Sequence, residues 1–285
     1  MAATQTRRKR RLGRYMRELR DRSGRKPEDA KESMGISKWS IWRWEKGDSL
    51  PRLAELQVLT SWYGATDAEK QEALTRWHDA KQDTTRVIIP GSASSQLRSY
   101  LRGEADAETE KIICVLVVDG LLQTGDYARA ILRAPSGLRM SDTEIEELAA
   151  ARASRQALLQ GDRPLKVRAV LDEAVVRRVV GGPQVMRDQL THLLNLAEQP
   201  NITLQVVPYE AGAFGTMSGS TAVLEFHDAE DPPVAYVEYV RGGAWVENRD
   251  DVNMLATTFD LASEVALTPA DTADLIRRQI EGLTK

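Results

Sequence analysis

Through the first eighty residues, apolar side chains recur at helical spacing between short polar breaks. Leu12, Tyr15, Met16 and Leu19 lie three or four apart and predict a first helix. Pro27-Glu28-Asp29 suits the opening of a second, because proline is tolerated in a first turn and acids favour its positive end. Ala30 and Met34 give that short helix an apolar side, and Gly35 stops it. Ser37 is placed to cap a third helix running to Gly47. Pro51 opens a fourth, with Leu53, Leu56, Val58 and Leu59 inward, and Asp67 to Lys81 reads as a fifth carrying Leu74 and Trp77.

The pattern then changes. Pro90-Gly91-Ser92-Ala93-Ser94-Ser95 is a small polar cluster of the kind that connects packed elements. The expected organisation is therefore a domain over 1–81, a linker over 82–95 and a second domain over 96–285. In the second domain helices are predicted at 96–109, 124–133, 141–160, 172–180, 183–198, 249–265 and 269–282. Strands are predicted at 112–118, 165–171, 202–207, 220–226, 233–240 and 244–247. Short turns such as Asp231-Pro232-Pro233 and Gly242-Gly243 suggest a mostly antiparallel, α+β arrangement.

Charge sharpens this division. Residues 1–52 hold 16 Lys/Arg against 7 Asp/Glu, while the remainder holds 23 against 35. A basic reader fused to an acidic domain would show this asymmetry, as would a chance excess on a solvated helical face. Cys114 is the only cysteine and lies in the apolar run Ile112 to Val118, so it reads as a buried small hydrophobe. That run is too short to span a bilayer. The basic N-terminus has no apolar segment behind it, so a cytoplasmic, nucleoid-associated protein is expected.

The informative segment is Ser37-Lys38-Trp39-Ser40-Ile41-Trp42-Arg43-Trp44-Glu45-Lys46-Gly47. A short helix, a glycine turn and a second helix can place the second in the major groove, with its first residues at base edges. Ile41 and Trp44 share the core face, so Lys38, Trp39, Trp42 and Arg43 fall outward. With Gly24, Glu28, Asp29, Gly35-Ile36-Ser37, Ser40-Ile41, Arg43, Glu45, Gly47 and Pro51, the segment resembles xenobiotic-response-element-type, phage-repressor-like regulators. The resemblance implies a five-helix all-α domain that binds double-stranded DNA. It makes Lys38, Trp39, Ser40 and Arg43 candidate base readers, and Ser37, Trp42 and Lys46 phosphate-side candidates. Arg43 stands out because its planar fork pairs bidentately with guanine. Pro27 replaces a glutamine common in that family. Trp39 and Trp42 stand where small or polar residues are usual, and either could instead fold back as core or form a protein interface. Arg8 and Arg10, in the run Arg7 to Arg11, are candidates for a flexible arm along phosphates or in a minor groove. A solvated tail is the alternative.

Val118-Asp119-Gly120-Leu121-Leu122-Gln123-Thr124-Gly125-Asp126-Tyr127 resembles the signature of a domain found behind such helix-turn-helices in many actinobacterial, antitoxin-like regulators. Arg152 with Arg155-Gln156, Leu171-Asp172-Glu173-Ala174, Gly181-Gly182-Pro183, Val206-Val207-Pro208 and Tyr236-Val237-Glu238 follow in the same order. Asp119 departs from the proline usual before Gly-Leu-Leu-Gln-Thr. The resemblance implies a regulator that answers to a small partner protein encoded by a neighbouring gene or to a small-molecule effector. A homodimer on a two-fold operator is expected. Gln123, Tyr127, Arg152, Arg155, Glu173 and Phe214 are the candidates for such a site. Thr124 as an N-cap and the charges as a buried network are the structural alternatives.

No catalytic residues, metal site or cofactor are expected. His78, His192 and His227 form no HxH or HxxxH pair, and no nucleophile elbow or phosphate loop occurs. Gly212 to Ser220 is the one glycine-rich stretch and reads as a mobile hairpin or pocket lid between strands.

Overall fold

The computed structural model describes residues 7–81, 89–91, 93–134, 140–215, 219–228, 231–239 and 242–283. The chain forms two compact units, Met1–Thr85 and Arg86–Lys285.

The first unit is all-α: α1 (Arg7–Ser23), α2 (Asp29–Met34), α3 (Lys38–Glu45), α4 (Leu53–Trp62) and α5 (Asp67–Lys81). Its core gathers Leu12, Met16, Leu19, Ala30, Ile41, Trp44, Leu56, Leu59 and Trp77. Gly13 lets α1 approach the end of α3 closely, since a Cβ there would collide with the carbonyls of Trp44 and Glu45. Arg20 of α1 grips Glu45 through two bonds, Nε–Oε1 at 2.6 Å and Nη2–Oε2 at 3.1 Å. The Trp77 indole donates to the Pro51 carbonyl at 2.8 Å, which ties α5 to the start of α4.

Two expectations fail here. Val58 is exposed, because Leu56, Leu59 and Thr60 already define the buried face of α4 and position 58 lies opposite it. The basic run from Arg7 is not a flexible arm: Arg7 to Arg11 form the first turns of α1. Arg and Lys are good helix formers, and this run leads directly into the apolar face that begins at Leu12. Arg8 and Arg10 are half-buried, with the Arg10 backbone packed against Gly47.

The second unit is a mixed α/β domain with one six-stranded sheet, ordered β3-β2-β1-β4-β5-β6. The strands are β1 (Thr109–Cys114), β2 (Lys166–Asp172), β3 (Ile202–Val207), β4 (Thr221–Glu225), β5 (Val234–Tyr239) and β6 (Gly242–Val246). β1–β2 and β2–β3 are parallel, and the other three pairings are antiparallel. The helices are α6 (Ser95–Asp106), α7 (Gly125–Arg133), α8 (Asp142–Arg155), α9 (Glu173–Arg177), α10 (Pro183–Ala197), α11 (Arg249–Val265) and α12 (Pro269–Gly282). Parallel neighbours need helical crossovers, supplied by α7–α8 and α9–α10. One sheet face packs Ile112, Val167, Leu171 and Leu204 under α7, α10 and α12, with α6 over Ala222 and Leu224. The other packs Ile113, Val170 and Val223 against Phe259, Ala262 and Val252 of α11.

The second unit differs from expectation in two places. β1 starts at Thr109, so Glu110 lies inside it and is fully buried, while Leu116 is 61% exposed beyond its end. Gly242 and Gly243 are strand residues rather than a turn. The Tyr236 ring occupies the place a side chain at Gly243 would need. Of the expected linker, residues 82–88 and 92 lie outside the described residues. Ile89 packs on the Tyr100–Leu101 cluster, and Arg98 holds the carbonyls of Gly91 and Ala93.

Candidate nucleic-acid surface and a buried charged cluster

The third helix is placed by local chemistry at both ends. Gly35, at φ +70°, ends α2, with its N–H on the Lys31 carbonyl and that of Ile36 on the Ala30 carbonyl. Ser37 then caps α3, its Oγ accepting from the Ser40 N–H at 3.1 Å. Ile41 and Trp44 are buried, which turns the opposite face outward. Trp39 is 64% exposed and Trp42 37%, their rings meeting edge to face at 5.0 Å. Lys38 leans over both rings and pairs with Glu28 at 3.7 Å. The Ser40 hydroxyl is engaged with that of Ser37 at 2.9 Å. Arg43 is exposed, and its guanidinium meets no partner among the described residues. Ser37 and Lys46 are exposed at the two ends of the helix. The result is one surface that joins a cation, two aromatic faces and an unengaged guanidinium.

In the second unit, the Asp119–Gly125 stretch is held from every side by side chains. Asp119 accepts from the Leu121 N–H at 2.7 Å, and Thr124 caps α7. Gln123 donates to the Val118 carbonyl at 2.6 Å and accepts from Arg152 at 2.7 Å. Gln189, fully buried, accepts from the Thr124 N–H and donates to the Leu122 carbonyl. The Tyr127 hydroxyl accepts from the Val118 N–H at 3.3 Å. Much of this stretch therefore fixes chain geometry.

Beside it lies a charged cluster on the inner sheet face. Arg155 is buried, bonded to both Glu104 oxygens and to the Tyr100 hydroxyl, and reaches Asp119 at 3.3 Å. Tyr100 also donates to Glu110 at 2.7 Å, while the second Glu110 oxygen is buried without a partner. Burial first, then the charges of Glu104 and Asp119, push the Glu110 carboxyl well above the usual range, so it stays protonated more readily. Burial likewise raises Glu104, against the opposing pull of Arg155. Arg152 is lowered by burial and by Arg155.

Two family comparisons match the chain. Residues 11–73 match the helix-turn-helix domain family, and residues 97–278 match the domain of unknown function DUF5753. The chain belongs to the DUF5753 family. No curated protein and no solved structure matches it. It thus fuses a helix-turn-helix domain, typical of DNA-binding regulators, to a DUF5753 domain.

The DUF5753 domain does not gather all the expected residues. Gln123, Arg152 and Arg155 converge beside Gly120, with Tyr127 behind them. Glu173 is engaged separately, accepting from Arg177 at 2.6 Å and from the Tyr209 N–H at 2.7 Å. Phe214 packs with Phe259 on the opposite sheet face. Of the glycine-rich stretch, residues 216–218 lie outside the described residues. Tyr100, Glu104, Glu110, Tyr236 and Glu238 escaped the sequence reading. The alternation Glu110, Ile112, Cys114 on one strand face was the available signal for a carboxylate aimed inward. Among the described residues, no group of three His, Cys, Asp or Glu could hold a metal ion, and no helix is long and apolar enough to cross a membrane.

Proposed function

We propose that the chain is a sequence-specific transcription regulator that lays α3 in the major groove of double-stranded DNA, as a homodimer on a two-fold operator. Its DUF5753 domain answers to a small-molecule effector. The carrying observation is the outward face of α3, where Lys38, Trp39, Trp42 and Arg43 stand opposite the buried Ile41 and Trp44. Arg43 reads guanine, Lys38 and the two tryptophans line the groove wall, and Ser37 and Lys46 sit towards phosphates. Footprinting of wild type and Arg43→Ala supplies the operator, and affinities for operator and scrambled duplex then test the assignment. The variant is expected to lose about 1–3 kcal/mol of discrimination. An unchanged ratio of the two affinities removes Arg43 as a reader.

A second reading, an antitoxin-like module holding a small partner protein, draws on one surface feature. Met254, Leu261 and Val265 expose an apolar stripe along α11. Co-purification of the neighbouring gene product with wild type but not with Leu261→Glu supports it; retention by both removes that surface.

A further inference from the structure

The strand order turns at β1, with β2 and β3 on one side and β4 to β6 on the other. In open α/β sheets such a switch point opens a crevice at the carboxyl end of the strand, because successive connections leave it in opposite directions. β1 ends at Cys114, and β4 begins beside it, Thr221 pairing with Ile113. A crevice enclosing about 190 Å³ lies at this place.

Its lining is chemically one-sided. Ile112 and Ala222 form an apolar floor. Tyr100 and Tyr236, stacked at 4.5 Å, form a wall. The polar lining is Asp119, Glu238, Ser220, Thr221 and the tyrosine hydroxyls, with no cation. Arg155 stands behind, already engaged by Glu104 and Asp119. Two acceptors are left over. Glu238 has no hydrogen-bond or ion-pair partner among the described residues, and the Tyr236 hydroxyl, on a side chain 2% exposed, has none either. A buried polar group left unmade is costly, and a ligand donor that reaches it recovers that cost.

We propose that this crevice binds the head of a small primary ammonium compound. Glu238 and the Tyr236 oxygen accept two of its N–H donors, Ser220 or Thr221 accepts the third, and the alkyl part lies on Ile112 and Ala222. An anion would face two carboxylates. A hard divalent cation requires six or more oxygens, which this partly apolar lining does not provide. The volume lies below the range of drug-sized sites, so the ligand is a few heavy atoms long or enters by its end. The proposal rests on the effector reading of the DUF5753 domain and gives that effector a chemistry.

The test titrates the full chain at neutral pH with n-propylammonium chloride, following the thermal midpoint and ligand-observed NMR. Potassium chloride at equal ionic strength, sodium propionate and 1-propanol serve as comparisons. Saturable binding of propylammonium alone is expected. Glu238→Gln and Tyr236→Phe should each weaken it about tenfold or more, the scale of one charge-assisted hydrogen bond. Neither variant should move the unliganded midpoint appreciably, since neither side-chain oxygen has a partner to lose. Equal responses to potassium or propionate, no saturable response, or undiminished binding in both variants overturns the proposal. DNA affinity with and without propylammonium separates the two readings. Binding that leaves DNA affinity unchanged upholds the site and removes its effector role. A change in DNA affinity caused by another compound, with no ammonium binding, overturns the site alone.

Discussion

Glu110 shows how one carboxyl can set a pH response. It is fully buried in β1, takes one hydrogen bond from Tyr100 and leaves its other oxygen unpaired. A neutral carboxyl suffers less from this than an ionised one, and Glu104 and Asp119 add repulsion against ionisation. Its folded pKa therefore lies above its ordinary value of 4.5. Folding takes up a proton, so this contribution is complete below the ordinary value and is lost as pH rises through the folded one. The DUF5753 domain should thus lose stability as pH rises above the ordinary carboxyl value. Glu110→Gln keeps the acceptor for Tyr100 and removes the ionisation, so its unfolding free energy should vary less with pH and exceed wild type at the alkaline end. Parallel urea-unfolding profiles for the two proteins across that range would assign the response elsewhere.

At the scale of elements, the sequence was legible where local chemistry and burial agree. α5, α11, α12 and β3 span the predicted residues because a cap or proline opens each helix and apolar spacing carries it through. The start of β1 was hidden because a buried Glu110 has the composition of a loop, and only its tertiary partners Tyr100 and Arg155 make that burial tolerable. The β6 glycines read as a turn for a similar reason. Gly243 is required by a ring from the neighbouring strand, and a sequence pattern carries no cross-strand information. Gly243→Ala is therefore expected to displace Tyr236 from its stack on Tyr100 and to cost about 1–3 kcal/mol, as overpacking does. Urea unfolding measures the loss. A variant as stable as wild type would mean that the ring moves aside freely. The α3 surface was readable in advance because helical spacing alone separates Ile41 and Trp44 from Trp39 and Trp42. The crevice was not, because it draws residues from α6, β1, β4 and β5, which only the strand order brings together.

At the scale of the whole molecule, net charge is a poor guide to what the chain binds. The unit Met1–Thr85 holds 19 Lys/Arg against 13 Asp/Glu, and Arg86–Lys285 holds 20 against 29. A formal charge of −3 therefore conceals a basic unit. At physiological ionic strength charges are screened over about 8 Å, so a polyanion responds to the local surface of α3 rather than to the sum. The full chain should then bind duplex DNA with an affinity that falls steeply and log-linearly with salt, despite its acidic total, because each phosphate contact releases condensed counterions. Lys46→Ala, if Lys46 meets a phosphate, should lower affinity for operator and scrambled DNA alike and reduce the salt slope by about one. Arg43→Ala should instead lower operator affinity selectively. Glu110→Gln, altered far from any basic surface in its own unit, should leave the slope as it is. Fluorescence anisotropy over a salt series measures all of these. Binding insensitive to salt, or a slope unmoved by Lys46→Ala, would place the phosphate contacts on residues other than those at the end of α3.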